Sequence, residues 1–164
     1  MSDIVSKEKR SSMMAAVRQK GTEPELNLRR ALHRAGLRYR LHRRDLPGTP
    51  DIVIAPSRVA VFVHGCFWHR HAGCPKTTTP ATRAEFWLDK FEKNVARDRR
   101  AQASLRAAGW KVFVVWECEV KSINAARDVA NTVALAARTK ARVLTKRMLR
   151  FGKGRTLHAR RKSL

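Results

Sequence analysis

The sequence contains only three cysteines, few acidic residues and no long apolar run. No stretch approaches the roughly 18 apolar residues that a membrane-spanning helix needs, and residues 1–14 lack the apolar core of a secretory signal peptide. An odd number of cysteines argues against the disulfide framework of a secreted protein. We therefore expect a cytoplasmic protein without a membrane partner, whose cysteines bind metal or fill the core.

The shortage of acidic residues leaves the chain strongly basic. Against 13 Asp and Glu there are 36 Lys and Arg, for a formal net charge of +23 over 164 residues. Such an excess is typical of proteins that bind phosphates, and nucleic acid is the expected partner. Ten of the basic residues and no acidic residue lie beyond residue 138. We therefore divide the chain into one domain, residues 1–138, and a basic C-terminal tail, residues 139–164.

Hydrophobic patterning predicts an α/β fold in which helices flank a small central mixed sheet. Short runs, most of them β-branched, predict strands at residues 38–42, 51–54, 59–64 and 111–116. Helical patterns cover residues 7–19, 22–36, 82–108 and 124–138. Thr22 stands at a helix start with Glu25 three residues later, which is typical of a capping box.

All three cysteines fall into one metal-ligand pattern. Cys66, His71 and Cys74 lie in one loop, and Cys118 follows a predicted strand. Three thiolates and one imidazole make a closed tetrahedral Zn²⁺ site, which is structural rather than catalytic. The alternative is that Cys66 and Cys118 are buried apolar thiols and that His71 is a surface residue.

Asp51 is a carboxylate at the start of a predicted strand, a position where many metal-dependent nucleases also have one. Asp51 follows Pro50 at the start of a predicted strand, and a carboxylate fixed there can hold Mg²⁺ against a scissile phosphate. Most Pro-Asp pairs are merely turns, so the dipeptide is a weak signal. Many nucleases carry Glu/Asp-x-Lys on the next strand, whereas this chain has Val63-His64-Gly65.

Val63-His64-Gly65 belongs to a series of longer motifs. They are VHGCFWHRH at 63–71, ATRAEFWL at 81–88, KNVARDRR at 93–100, GWKV at 109–112 and VWEC at 115–118. In this order the motifs resemble the very short patch repair (Vsr) endonucleases, over roughly residues 7–120. The resemblance implies a restriction-endonuclease-like fold. It also implies a Mg²⁺-dependent enzyme that nicks DNA 5′ of the thymine in a T·G mismatch left by deamination of 5-methylcytosine.

The resemblance also assigns roles to single residues. Asp51 matches the family's metal-binding aspartate, and the backbone carbonyl of Val63 matches the second magnesium ligand, although the family often has a hydroxyl residue there. His69 matches a histidine that activates water or stabilises the developing charge, and Glu25 a carboxylate that holds metal-bound water. His64 and Asp98 are candidates for orienting the phosphate or the water.

Aromatic residues and one methionine are implied to wedge between base pairs beside the mismatch. These residues are Met14, Phe67, Trp68 and Trp87. Unstacking of base pairs costs the least free energy at a mismatch, so side chains that insert between base pairs favour mismatched over paired DNA. Trp87 could instead face the core at helical spacing with Phe91 and Val95. Lys90 and Asn94 match residues that contact the mismatch region, although a solvated helix face is the commoner fate of such side chains.

Two other functions fit part of this pattern. A zinc-stabilised nucleic-acid-binding module without catalysis accounts for the charge, the cysteines and the aromatics, but gives no role to Asp51, His69 and Glu25. A sequence-specific nickase or restriction-type nuclease keeps the chemistry and changes the target. The family resemblance further implies a monomer that acts at the bacterial nucleoid, with other mismatch-repair proteins as partners.

Overall fold

The computed structural model describes Lys9 and residues 20–139. The helices are α1 (Glu23–Arg34), α2 (Cys66–His69), α3 (Ala84–Ala107) and α4 (Ile123–Arg138). The strands are β1 (Arg40–Leu41), β2 (Ile52–Ile54), β3 (Val59–His64) and β4 (Lys111–Trp116). Met14, the rest of the predicted helix at residues 7–19 and the tail beyond Thr139 lie outside the described residues. Within the described part, no helix is long and apolar enough to cross a membrane.

The four strands form one mixed sheet in the order β1-β2-β3-β4. The first three are antiparallel neighbours, whereas β3 and β4 are parallel and are connected through α3. Antiparallel pairing brings the start of β2 beside the end of β3, and parallel pairing brings the ends of β3 and β4 together. Asp51, His64 and Trp116 therefore lie at the same edge of the sheet.

Helices cover both faces of the sheet. Alternate residues of β3 point to opposite sides, so that Val59 and Val61 join one buried cluster while Ala60 and Phe62 join the other. The larger cluster includes apolar residues of α1 and α4, and the smaller one includes Leu105 of α3. Burial on both faces explains why the central strands are almost continuously apolar.

The sequence predicted the mixed α/β architecture correctly, with local differences. The first strand is two residues long rather than five, and α2 forms inside what was expected to be a loop. The predicted capping box does not form, because the Thr22 side chain makes no capping hydrogen bond. The Glu25 carboxylate instead accepts a hydrogen bond from the Gly21 backbone N–H at 2.7 Å, one residue earlier than a capping box requires.

Candidate active site

Three groups of polar side chains meet at the edge of the sheet where β3 and β4 end. The carboxylate pocket consists of Glu25, His42 and Asp51. The histidine group consists of His64, His69 and Asp98. The thiol cluster consists of Cys66, His71, Cys74 and Cys118.

Asp51 is held at the start of β2 by the neighbouring strand. Its Oδ2 accepts a hydrogen bond from the Val63 backbone N–H at 2.8 Å. Burial raises the pKa of Asp51 to about 6, helped by the nearby Glu25 carboxylate, although the Val63 hydrogen bond and the charges of His42 and His69 act in the opposite direction. A carboxylate removed from water beside a second carboxylate is a place where a cation is favoured.

Glu25 is the most deeply buried charged group of the site, with 2% of its surface exposed. Its Oε2 is satisfied by Gly21, whereas its Oε1 has no hydrogen-bond partner among the described residues. Arg29 lies 3.7 Å from that oxygen, within ion-pair distance but beyond hydrogen-bond distance, and His42 lies 3.3 Å away without forming a hydrogen bond. Because an unsatisfied buried carboxylate oxygen costs free energy, the pocket is suited to a cation or to a cation-bound water.

His42 lies between the two carboxylates and is not among the site residues predicted from the sequence. Its Nε2 is 3.3 Å from Glu25 Oε1, and its Nδ1 is 3.6 Å from Asp51 Oδ1. The residue follows β1 in a left-handed conformation with φ of 46°, and its backbone N–H donates to the Asp51 carbonyl at 3.1 Å. No motif marks this histidine. The pairing of β1 with β2, which is not a local feature of the sequence, brings it into the pocket.

The histidine group couples the end of β3 to α3. His69 Nδ1 lies 2.5 Å from Asp98 Oδ2, and the His69 ring stacks on His64 with centroids 3.9 Å apart. Burial and the nearby His69 lower the pKa of His64 to about 4, so His64 is neutral at pH 7. Burial acts to raise the pKa of Asp98, but the hydrogen bond from His69 and neighbouring cationic charges outweigh it and hold that pKa below its ordinary value. The carboxylate thus orients His69.

The thiol cluster has the geometry of a closed metal site. All four donor atoms lie within 4.8 Å of one another, and His71 Nδ1 is 3.5 Å from Cys66 Sγ and 3.4 Å from Cys118 Sγ. Tetrahedral zinc with ordinary bond lengths requires a sulfur–nitrogen separation of about 3.6 Å. The donors present therefore fit such an ion, with each of the four positions taken by the protein.

Hydrogen bonds and ring stacking fasten the cysteine-bearing loop to the end of β4. The Cys66 backbone N–H donates to Glu117 Oε1 at 3.2 Å, and the Thr77 hydroxyl donates to the carbonyls of Cys66 and His71. The His71 ring stacks on Trp116 with centroids 4.2 Å apart. These contacts hold α2, and with it His69, in a defined position over the sheet edge.

The aromatic residues predicted to wedge into DNA pack together between α2 and α3. Phe67 and Trp68 are half-buried, and the Phe67 ring meets Trp68 and Phe91 edge-on at 5.1 and 5.0 Å. Trp87 is 8% exposed and lies against Phe67 and Phe91. Trp87 therefore has the surroundings of a core residue in the free protein.

Lys90 and Asn94 lie on the face of α3 next to these aromatics. The Lys90 ammonium is 5.3 Å from the centre of the Trp68 ring, and the Asn94 side chain donates to the Trp68 carbonyl at 3.5 Å. The face of α3 that carries both residues is thus the one turned towards α2. Every predicted site residue that the structure describes lies in this region.

Comparisons with known proteins relate the chain to DNA-cleaving enzymes. The family model of the DNA mismatch endonuclease Vsr matches residues 2–76. The chain is 51% identical to the type II nicking enzyme V.XorIIP of Xanthomonas oryzae over 125 residues, 76% of this chain and 91% of that one. It is 43% identical to the DNA mismatch endonuclease Vsr of Escherichia coli over 135 residues, 82% and 86% of the two chains. Identity to the type II nicking enzyme V.NmeAIP of Neisseria meningitidis is 41% over 131 residues, 80% and 93%.

Proposed function

We propose, from the premise that this chain belongs to the Vsr family of DNA endonucleases, that it nicks one strand of duplex DNA 5′ of the thymine in a T·G mismatch. Membership in the family makes the chain an endonuclease and excludes the non-catalytic binding module. The observation that carries the proposal is the juxtaposition of Asp51 and the buried Glu25 oxygen, which accepts no hydrogen bond from the described residues, with the His69–Asp98 pair.

The carboxylate pocket is the proposed site of Mg²⁺. Magnesium prefers oxygen ligands and retains several waters, which suits the Asp51 carboxylate, the Val63 carbonyl and a water held by Glu25. The hydrogen bond from the Val63 N–H keeps the Asp51 carboxylate beside that strand. When bound, Mg²⁺ would polarise the scissile phosphate and offset the charge that develops on its oxygens.

His69 is the proposed general base. Because Asp98 occupies its Nδ1, the second nitrogen, Nε2, is left to take the proton from the water that attacks phosphorus. The phosphodiester bond then breaks as the new bond to the water oxygen forms. His64, neutral at pH 7 and stacked on His69, orients the ring without adding a competing positive charge.

The thiol cluster is the proposed site of a structural Zn²⁺. With three sulfurs and one nitrogen closing the coordination sphere, no position is left for substrate. The ion would join the loop that carries α2 to the segment after β4. This arrangement, on a domain that we propose to be of the restriction-endonuclease-like class, positions His69 without taking part in the reaction.

Selection of the mismatch is assigned to a wedge of four side chains, Met14, Phe67, Trp68 and Trp87, with Lys90 and Asn94 in contact with the mismatch region. Phe67 and Trp68 are half-buried in the free protein, so they can leave their neighbours at a smaller cost than fully buried rings. A ring inserted beside T·G replaces stacking that the mismatch has already weakened. Insertion of Trp87 would require it to leave its contacts with Phe67 and Phe91.

A second candidate substrate is a fully paired recognition sequence. It is favoured by the names of two similar proteins, which describe type II nicking enzymes. The same pocket and the same chemistry would serve either target, because the carboxylates and His69 act on the phosphate rather than on a base. The bases around the cleaved bond therefore distinguish the two candidates.

Nicking of end-labelled duplexes tests the proposal. Three duplexes share one flanking sequence and differ at one position, T·G, T·A or C·G, and each is incubated with Mg²⁺ or with a chelator. We expect a single nick 5′ of the mismatched thymine that requires Mg²⁺ and is slower by orders of magnitude on the paired duplexes. Nicking of one of the paired duplexes at least as fast as of the T·G duplex would favour the sequence-specific nickase, and nicking in excess chelator would contradict the proposed site.

A further inference from the structure

The first half of α3 has two opposite faces. At spacings of four residues, one face carries Phe86, Lys90 and Asn94. Arg83, the residue before the helix, places its guanidinium over the Phe86 ring, and we call these four residues the cationic face. The other carries Glu85, Leu88, Asp89 and Glu92, which we call the acidic face. A phosphate backbone approaching α3 is attracted to the first and repelled by the second.

Phe86 is a large aromatic residue left in water on the cationic face. It is 45% exposed, with the Arg83 guanidinium 4.7 Å and the Lys90 ammonium 5.9 Å from the centre of its ring. The Trp87 ring meets it edge-on at 5.5 Å, which fixes the plane of the exposed ring. Neither Arg83 nor Lys90 pairs with a carboxylate among the described residues. An exposed aromatic ring that packs against a neighbouring ring, beside two cations without a carboxylate partner among the described residues, is a typical surface for stacking nucleic-acid bases.

The cationic face leads directly to the proposed catalytic centre. In steps of four residues from Phe86, the side chains reach Lys90, then Asn94 bound to the Trp68 carbonyl, then Asp98 bound to His69. The twelve residues from Phe86 to Asp98 span about 18 Å along the helix. That distance corresponds to roughly five base-pair steps of about 3.4 Å. A duplex whose scissile phosphate lies at His69 can therefore reach Phe86.

We propose that Phe86 and Arg83, together with Lys90, form a platform that binds the DNA strand beside the opened mismatch. The ring of Phe86 stacks on a base exposed by unstacking, and the two cations contact phosphates of the same strand. This inference rests on the proposed function and adds Phe86 and Arg83 to the residues that recognise the substrate. Duplex DNA, rather than an acidic protein, is the occupant because the face is continuous with the site that cleaves DNA.

The test compares Phe86→Ala with Leu88→Ala. Leu88 is a matched control because it is 53% exposed, lies two residues away and belongs to the acidic face. We expect Phe86→Ala to weaken binding of the T·G duplex about tenfold and to lower the ratio of T·G to paired nicking by a similar factor. Leu88→Ala should stay within about twofold of wild type on both measures. Since both side chains are largely exposed, thermal melting should show both variants folded.

Arg83→Gln separates the phosphate contact from the stacking contact. Loss of one phosphate contact reduces the slope of log affinity against log salt by about 0.9 and weakens mismatched and paired duplexes equally. Phe86→Ala, in contrast, should leave the slope unchanged. Rescue of mismatch preference by Phe86→Trp, but not by Phe86→Leu, would identify the aromatic face rather than apolar bulk as the active property.

The outcomes distinguish this inference from the function on which it rests. Wild-type binding and mismatch preference in Phe86→Ala, with T·G nicking intact, would overturn the platform and leave the proposed function standing. If wild type nicks paired DNA instead, the proposed substrate is wrong, and the binding of that paired duplex to Phe86→Ala decides the platform separately. Protection of Phe86 from labelling by an acidic protein, but not by duplex DNA, would also overturn the inference.

Discussion

The carboxylate pocket and the thiol cluster occupy the same edge of one sheet, and both bring together groups that bind metal. They differ in chemistry and in completeness. The thiol cluster offers soft donors whose separations match one tetrahedral ion, with no donor left over. The carboxylate pocket offers hard oxygen donors, of which one is buried and accepts no hydrogen bond from the described residues. A closed set of donors stabilises a fold, whereas an open set leaves room for a phosphate and a water.

The two sites also differ in how the chain assembles them. The thiol cluster joins one loop to the end of β4 and thereby fastens α2 over the sheet. The carboxylate pocket draws on α1, the end of β1 and the start of β2, so its geometry depends on the whole sheet being formed. Damage to the first site should therefore appear as lost stability, and damage to the second as lost rate.

The largest expected effect is that of Asp51→Asn, which keeps the size of the side chain and removes its charge. Nicking should fall by at least about 10³-fold, because the proposed magnesium ligand is lost. Binding of DNA should be unchanged or stronger, since one negative charge facing phosphate is removed. Single-turnover nicking and a binding titration measure the two effects. Asp45→Asn, an exposed carboxylate paired with Arg43, serves as the control and should retain activity.

Cys118→Ser is expected to act on stability. Loss of a structural zinc ligand should lower the bound zinc and reduce the melting temperature by about 10 °C or more, since metal binding contributes directly to the free energy of folding. Elemental analysis and thermal melting on the same sample check both. If folded wild-type protein contains no zinc, the thiol cluster is not a structural zinc site.

Asp98→Asn sharpens the comparison within the catalytic centre. The substitution removes the negative charge that orients His69, so the nicking rate at saturating DNA should fall about 10²-fold. Zinc content, melting temperature and DNA affinity should change little, because the thiol cluster is untouched. A loss of melting temperature without a loss of rate would make this pair a structural contact instead.

A smaller effect is expected from pH, through the raised pKa of Asp51. Protons and metal compete for this carboxylate, so the Mg²⁺ concentration for half-maximal nicking should rise about tenfold per pH unit below about 6 and level off above it.

The same raised pKa affects the folding stability of the metal-free protein, which should decrease as the pH rises. The raised pKa contributes stability that is present below about pH 4 and is lost as pH rises through about 6. Urea unfolding of wild type and Asp51→Asn across this range isolates that contribution; parallel curves would contradict it.

The sequence predicted the elements whose signals are local and missed contacts that depend on pairing. The strands β3 and β4 and the long helix α3 follow from apolar runs and helical periodicity, and the use of every cysteine in one pattern indicated the thiol cluster. His42 could not be found, because its place between two carboxylates depends on β1 pairing with β2. The hydrogen bond of Glu25 to Gly21 is local, but it lies one residue away from the predicted capping box. The burial of Trp87 agrees with the alternative that its helical spacing with Phe91 offered.

Binding of Mn²⁺, followed by the loss of its free paramagnetic signal, tests most directly whether the carboxylate pocket is the site of the hard cation. The samples are zinc-loaded wild type, Asp51→Asn and Asp45→Asn at pH 7.5. The account predicts one bound Mn²⁺ per chain in wild type and Asp45→Asn, and at least tenfold weaker binding in Asp51→Asn with zinc content unchanged. Wild-type affinity for Mn²⁺ in Asp51→Asn would contradict it.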